Sequence, residues 1–209
     1  TRNKREASQL AIAFKESAIP LTSEDSLLVS YAISVKFLVA MVKVISVKDG
    51  LSARYSAIWW FYQLKFQVPP NPVEEKQIRE ICQRTDIGYF IAFFKEKGYD
   101  IRALFEKQPG IYELCEQING IFDLYAQSGE REYLLRFMDV VLEFMTARNN
   151  NPSDFLVRWE SLRKKVSIAL PEGANAVRFT TIHKSKGLEY PIVIVPYCNW
   201  SYNVRVNES

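Results

Sequence analysis

Residues 177–191 of the chain read VRFTTIHKSKGLEYP. This stretch places hydroxyls, an imidazole, amines and a carboxylate on a short polar connector, with Gly187 at a point where the backbone can approach a ligand closely. Backbone amides and lysine side chains of such a loop can hold phosphates, while a carboxylate accepts hydrogen bonds from hydroxyls. The residues alone leave ligand binding and an ordinary solvated turn equally open.

The segments on either side of this connector favour β-structure. Residues 176–182 are β-prone, and residues 190–197 form a short run dense in Ile and Val. We therefore expect a strand, a tight turn or single helical turn over 183–189, and then a buried strand. A short connector between apolar strands is typical of an α/β fold.

The middle of the chain has a helical texture. Residues 49–170 form long helix-prone stretches with short turns, which predicts an all-helical block. Residues 5–17 predict an amphipathic helix, and residues 30–46, apolar almost all round, predict a buried helix, with a strand as the alternative. The block's aromatic residues could stack on unpaired bases, but their helical spacing among Leu and Ile favours core packing: Trp59, Trp60, Phe93, Phe94, Phe137 and Phe144.

Charge and cysteine content narrow the functional class. The net charge of +3 is too small to indicate nucleic-acid binding by itself, and residues 1–48 carry most of the excess, with 7 Lys/Arg against 4 Asp/Glu. Three cysteines without CxxC spacing and one histidine, His183, argue against a zinc site or a disulfide scaffold. No apolar run approaches the ~20 residues that span a bilayer. We expect a cytoplasmic protein with no metal site and no membrane contact.

Residues 181–191, TIHKSKGLEYP, closely resemble motif V of the UvrD/RecB-type superfamily 1 DNA helicases, in which a Thr-[Ile/Leu]-His-x-x-Lys-Gly-Leu-Glu-[Phe/Tyr]-Pro pattern recurs. Residues 1–7, followed by Ile19-Pro20 and residues 25–28, are similar to motif IV of the same family, where a strand ends in arginine. Two details of the motif V-like stretch resemble the RecB and AddA helicase-nuclease subunits most. They are the Lys-Ser-Lys sequence at residues 184–186 and the Tyr190-Pro191 ending. The opening residues also read like the exit from a strand, so we expect part of a longer protein.

The resemblance implies roles for six residues. Arg2 would be a catalytic arginine finger that contacts the ATP γ-phosphate. Gly187 and Glu189 would contact the nucleotide, Glu189 through its sugar. Thr181, His183 and Lys186 would contact DNA. Without the family, Arg2 beside Lys4 and Arg5 would be read as part of a solvated charge cluster.

The resemblance also implies an organisation. Residues 1–48 and 171–209 would belong to the second RecA-like motor domain, and residues 49–170 to a helical insertion subdomain, giving an α/β fold that is mostly α overall. Partners would be single-stranded or double-stranded DNA, the first motor domain of the same chain, and a partner nuclease or helicase subunit. The parent would use ATP and Mg²⁺ in DNA repair and recombination, as exodeoxyribonuclease V-like enzymes do.

Some of the family's elements do not occur in this sequence. It contains no GxxxxGK[ST] phosphate loop and no motif VI arginine segment after motif V. We therefore expect this chain alone to bind no cofactor and to hydrolyse no ATP. A helical protein-interaction module with a degenerate motor-like edge is the alternative, and a generic RNA- or DNA-binding domain is the least favoured reading.

Overall fold

The computed structural model describes residues 21–23, 28–47, 51–107, 109–127, 129–147, 150–168, 177–180 and 185–196. The chain divides into two compact units, of which the larger spans Leu27–Ala169. All of the α-helices in the described residues belong to this larger unit. The protein is therefore mostly helical, as the texture of the sequence predicts for its middle.

The helical unit contains eight α-helices in its described part. They are α1 (Ile33–Ser46), α2 (Leu51–Phe66), α3 (Pro72–Gln83), α4 (Gly88–Glu96), α5 (Ala103–Glu106), α6 (Ile111–Phe122), α7 (Arg131–Ala147) and α8 (Pro152–Leu162). Short 3₁₀ turns occur at Val29–Tyr31 and Leu124–Ala126. The prediction of a buried helix over 30–46 is confirmed by α1, and the strand alternative is wrong. The one-turn helix α5 lies within the block that the sequence predicts to be helical.

Local sequence explains several helix ends. The Asn71 side chain accepts hydrogen bonds from the backbone amides of Val73 and Glu74, and the Glu74 side chain accepts one from the Asn71 amide, which completes a capping box. Asn151 caps α8 in a similar way, with Pro152 in its first turn. Gly98, with φ of +91°, follows the end of α4 in a conformation that favours glycine. These ends all lie within the block that the sequence predicts to be helical.

An aromatic cluster fills the centre of the unit, built from Phe37, Phe61, Phe90, Phe94 and Phe122. Each of these side chains is at most 1% exposed. The Phe37 and Phe122 rings meet edge to face at 4.7 Å, and the Phe61 and Phe94 rings do so at 5.1 Å. Helices α1, α2, α4 and α6 contribute one or more rings, so the cluster ties together segments that are distant in sequence.

Buried and half-buried polar groups in the unit join helices to loops. Arg54, 7% exposed, donates to the backbone carbonyls of Arg84 and Thr85 just beyond α3. At the start of α1, the Glu130 carboxylate accepts hydrogen bonds from the backbone amides of Ile33 and Ser34. Those amides have no hydrogen-bond partner within the helix. A negative charge at this end of the helix also interacts favourably with the helix dipole.

The smaller unit contains two short strands in its described part, β1 (Leu21–Ser23) and β2 (Val177–Phe179). They pair in parallel, with Leu21 opposite Val177 and Ser23 opposite Phe179. A parallel pair between segments so far apart in sequence requires a long connection between them. The β-prone reading of residues 176–182 is confirmed over 177–179. This pair does not establish a RecA-like sheet.

The prediction of a buried strand over residues 190–197 is wrong for the described residues 190–196. No strand forms there, and Ile192 and Ile194 are 81% and 73% exposed. The physical reason is that a parallel strand obtains both its hydrogen bonds and its burial from neighbouring strands and covering helices. Among the described residues, Ile192 and Ile194 lack that burial. In these same described residues, no helix is long and apolar enough to cross a membrane.

Two free thiols lie in the described part of the helical unit. Burial raises the pKa of Cys82 to about 11, against a small opposing effect of Arg54, and it also raises the pKa of the fully buried Cys115. The thiolate is the reactive form of cysteine, so both should react slowly while the chain is folded.

We expect Cys82 and Cys115 to resist a disulfide reagent in mildly alkaline buffer, reacting at least ~100-fold more slowly than in urea. The third cysteine, Cys198, lies outside the described residues, so the assay uses a Cys198→Ser background. The thiolate released from the reagent is measured over time for the folded chain and for the chain unfolded in urea. Rapid labelling of both thiols under native conditions would contradict the packing described for α3 and α6.

Candidate nucleotide and DNA contact turn

The centre of the motif-like stretch is a tight turn at residues 185–188. The Leu188 backbone amide donates to the Ser185 carbonyl over 3.0 Å. Gly187 has φ of +83°, and a Cβ added there would meet no atom within 4 Å. Space is therefore available, and the backbone conformation is what favours glycine. The prediction of a tight turn is confirmed for this described part.

The turn presents two opposite charges to solvent. The Lys186 amine and the Glu189 carboxylate both belong to exposed residues on either side of Gly187. An exposed amine can contact a phosphate, and an exposed carboxylate can accept hydrogen bonds from sugar hydroxyls. The bare backbone at Gly187 allows a ligand to approach between them. The geometry of this segment is suitable for the predicted contacts.

The other predicted site residues lie outside the described residues. They are Arg2, Thr181 and His183. The structure therefore brings together Lys186, Gly187 and Glu189 on one turn, and it gives no geometry for the remaining three. The described residues contain no group of three or more His, Cys, Asp or Glu side chains that could hold a metal ion.

Comparisons with known proteins identify partial relatives. Over 54 residues the chain is 43% identical to an ATP-dependent helicase/nuclease subunit of Acetivibrio thermocellus, a match that covers 25% of this chain and 4% of that protein. Over 53 residues it is 47% identical to the protein of the same name in Oceanobacillus iheyensis, covering 24% and 4%. The resemblance to the UvrD/RecB-type helicases is confirmed.

A longer match is to a RecB protein. The chain is 27% identical over 139 residues to the RecBCD enzyme subunit RecB of Buchnera aphidicola subsp. Schizaphis graminum, which covers 61% of this chain and 12% of that protein. The chain thus spans a small part of the length of these curated relatives. No family model matches it, and no solved structure matches it. The assignments of motifs IV and V and the role of each residue stay predictions.

One group of charged side chains was not singled out from the sequence. Lys36, Lys43, Glu160 and Arg163 line a common cleft in the helical unit. Lys36 and Lys43 are seven residues apart and share one face of α1, which the sequence could have indicated. Glu160 lies 117 residues beyond Lys43, and only the packing of α8 against α1 brings the two together.

Proposed function

We propose that this chain is part of an ATP-dependent DNA helicase or helicase-nuclease, and that the parent couples ATP hydrolysis to movement along DNA and to its unwinding. The chain would supply part of the second RecA-like motor domain from residues 1–48 and 171–209, and a helical insertion from residues 49–170. The observation that carries the proposal is the Gly187 turn within TIHKSKGLEYP, and the partial identity to helicase/nuclease subunits supports it.

The turn would connect two ligands. Glu189 would hold the nucleotide sugar, and the backbone at Gly187 would approach the same nucleotide. Lys186, with Thr181 and His183, would contact the DNA strand. Because these groups belong to one short segment, a shift of the segment on DNA binding would be felt at the nucleotide. The proposed role of motif V is therefore to couple DNA binding to ATP use.

Arg2 would complete the nucleotide site from motif IV. A guanidinium aimed at the γ-phosphate stabilises negative charge that develops during phosphoryl transfer. The phosphate loop and the Mg²⁺ ligands would come from the first motor domain, since this sequence contains no GxxxxGK[ST] loop. When bound, Mg²⁺ would neutralise phosphate charge. Glu189 is the single carboxylate of residues 183–189, so we assign no metal ligand to this segment.

The experiment that tests the proposal compares two variants of the full-length parent. Thr181→Ala combined with His183→Ala should weaken stimulation of ATPase by single-stranded DNA and leave the basal rate nearly intact. Glu189→Ala should lower nucleotide use whether or not DNA is present. Basal and DNA-stimulated rates are measured beside melting curves for each variant.

The control for this comparison is Lys184→Ala, which replaces a lysine of the same connector that carries no proposed contact. It should leave both rates near those of the parent. A uniform loss of all activities that follows the melting temperature would show that the loop residues only support the fold. Turnover of ATP by the 209-residue chain alone, lost on Glu189→Ala, would contradict its assignment as an incomplete motor.

A further inference from the structure

A cleft of about 300 Å³ opens on the helical unit between α1, the beginning of α2 and the end of α8. Three cationic side chains line it, Lys36, Lys43 and Arg163, together with one carboxylate, Glu160. Serine hydroxyls and the side chains of Trp60 and Trp159 contribute the rest of its polar and aromatic wall. The cleft therefore carries more positive than negative charge.

Glu160 accepts only one hydrogen bond from each of its two cationic neighbours, Lys43 and Arg163. Its Oε1 accepts from Lys43 Nζ at 3.1 Å, and its Oε2 accepts from Arg163 Nε at 2.7 Å. A lysine ammonium has three donors and a guanidinium has five, so each cation keeps donors for another acceptor. The Lys43 and Glu160 side chains are 39% and 47% exposed, and an exposed ion pair of this kind contributes only about 0–1 kcal/mol. An incoming anion can therefore compete with this ion pair.

Lys36 is held in place but lacks an anionic partner among the described residues. Its Nζ lies 4.6 Å from the centre of the Trp60 ring and 5.7 Å from that of Tyr31. Burial lowers its pKa, and the Glu130 charge opposes that effect without forming an ion pair with Lys36. A partly dehydrated ammonium fixed against an aromatic ring gains more from an incoming anion than a fully hydrated one does.

The distribution of cations indicates what kind of anion fits. Lys36 and Lys43 are about 10 Å apart along α1, from the rise per residue of a helix. Arg163 follows the end of α8, and the exposed Lys164 and Lys165 come next in the sequence. The cations do not all converge on one small anion, because Lys43 and Arg163 share the Glu160 carboxylate whereas Lys36 lies over the Tyr31 and Trp60 rings. They suit a polyanion that makes several weak contacts in series.

We propose that this cleft binds the phosphate backbone of a single-stranded nucleic acid. A flexible strand can place a phosphate into the recess at Lys36, whereas the phosphates of a duplex lie on a wide and stiff cylinder. This site shares no residue with the Gly187 turn and does not rest on the motor function proposed above. It assigns a nucleic-acid contact to the helical unit, where residues 49–170 carry no net positive charge.

The test measures binding of a fluorescein-labelled oligothymidylate to the 209-residue chain by fluorescence anisotropy at several salt concentrations. Each neutralised phosphate of a single strand contributes about 0.7 to the slope of log affinity against log salt. Lys43→Gln should lower that slope by about 0.7 and weaken binding several-fold at low salt. Glu160→Gln should tighten binding, because it removes the carboxylate that competes with phosphate.

The matched control is Lys76→Gln on α3, an exposed lysine outside the cleft whose replacement changes the net charge equally. It should leave affinity and slope nearly unchanged. Arg163→Gln serves as a second cleft variant, so that a folding defect in one variant, detected by a melting curve, does not decide the result. Lys186→Gln removes the amine of the Gly187 turn and separates binding there from binding in the cleft.

Several outcomes would overturn the proposal. Equal losses of affinity in Lys43→Gln and Lys76→Gln would show that net charge acts at long range and that the cleft has no specific role. Equal or tighter binding of a duplex, with the same dependence on Lys43, would show that the strand need not be single. Competition by inorganic phosphate beyond that of chloride at the same ionic strength would show a small-anion site. Binding lost on Lys186→Gln and kept in both cleft variants would place the contact at the turn.

Discussion

Replacing Phe61 by alanine should lower the free energy of unfolding by about 3–5 kcal/mol. Phe61 is 1% exposed and lies at the centre of the aromatic cluster. Its ring meets those of Phe94, Tyr99 and Phe122 edge to face at 5.1, 5.5 and 6.0 Å. The substitution removes the burial of a large apolar side chain and leaves a cavity between helices that cannot close completely.

The matched control for this variant is Phe66→Ala, the same change on the same helix. Phe66 is 49% exposed, so its removal should cost less than about 1 kcal/mol. Urea unfolding followed by far-UV circular dichroism gives both free energies, provided that the slope against urea is unchanged. Equal losses for the two variants would mean that α2 does not carry the core of the helical unit.

Replacing Arg2 by alanine in the full-length parent should lower the ATPase rate by about 10³-fold or more, if Arg2 is the arginine finger of motif IV. Nucleotide affinity should change much less, because the guanidinium acts mainly on charge that develops during phosphoryl transfer. Arg2 lies outside the described residues, so this expectation rests on the resemblance at residues 1–7. Steady-state rates and nucleotide binding are measured on the same preparation.

Two further variants make the Arg2 experiment specific. Arg5→Ala removes a neighbouring guanidinium without a proposed role, and it should leave the rate near that of the parent. Arg2→Lys keeps the charge but loses the planar fork of donors, so it should restore little activity. Normal hydrolysis by the Arg2→Ala parent would place this position outside the nucleotide cleft.

Local signals in the sequence predicted the helical block, because the causes of helix formation are largely local. The cap at Asn71 followed by Pro72 and Glu74 starts α3 through hydrogen bonds within four residues. The glycine at 98 ends α4 because the chain there requires a positive φ. The turn at Gly187 could be predicted for the same reason. The one-turn helix α5 could not, since so short a helix has too few positions to show a period.

Residues 190–196 show where a local reading fails. Their composition is that of a buried parallel strand, but composition states only that such a run can be buried. Whether it is buried depends on strands and helices from elsewhere in the fold, and among the described residues Ile192 and Ile194 lack that burial. The predicted contacts of Arg2, Thr181 and His183 depend in the same way on groups that local sequence does not supply.

By itself, the sequence determined the helical character of the middle block, the turn at Gly187 and the resemblance to helicase-nuclease subunits, since each depends on residues close together in the chain. The tertiary structure alone decided that Phe37, Phe61, Phe94 and Phe122 form one cluster and that Glu160 lies between Lys43 and Arg163. These contacts join helices far apart in sequence, and they form only when burial of apolar surface offsets the entropy lost in closing the intervening loops.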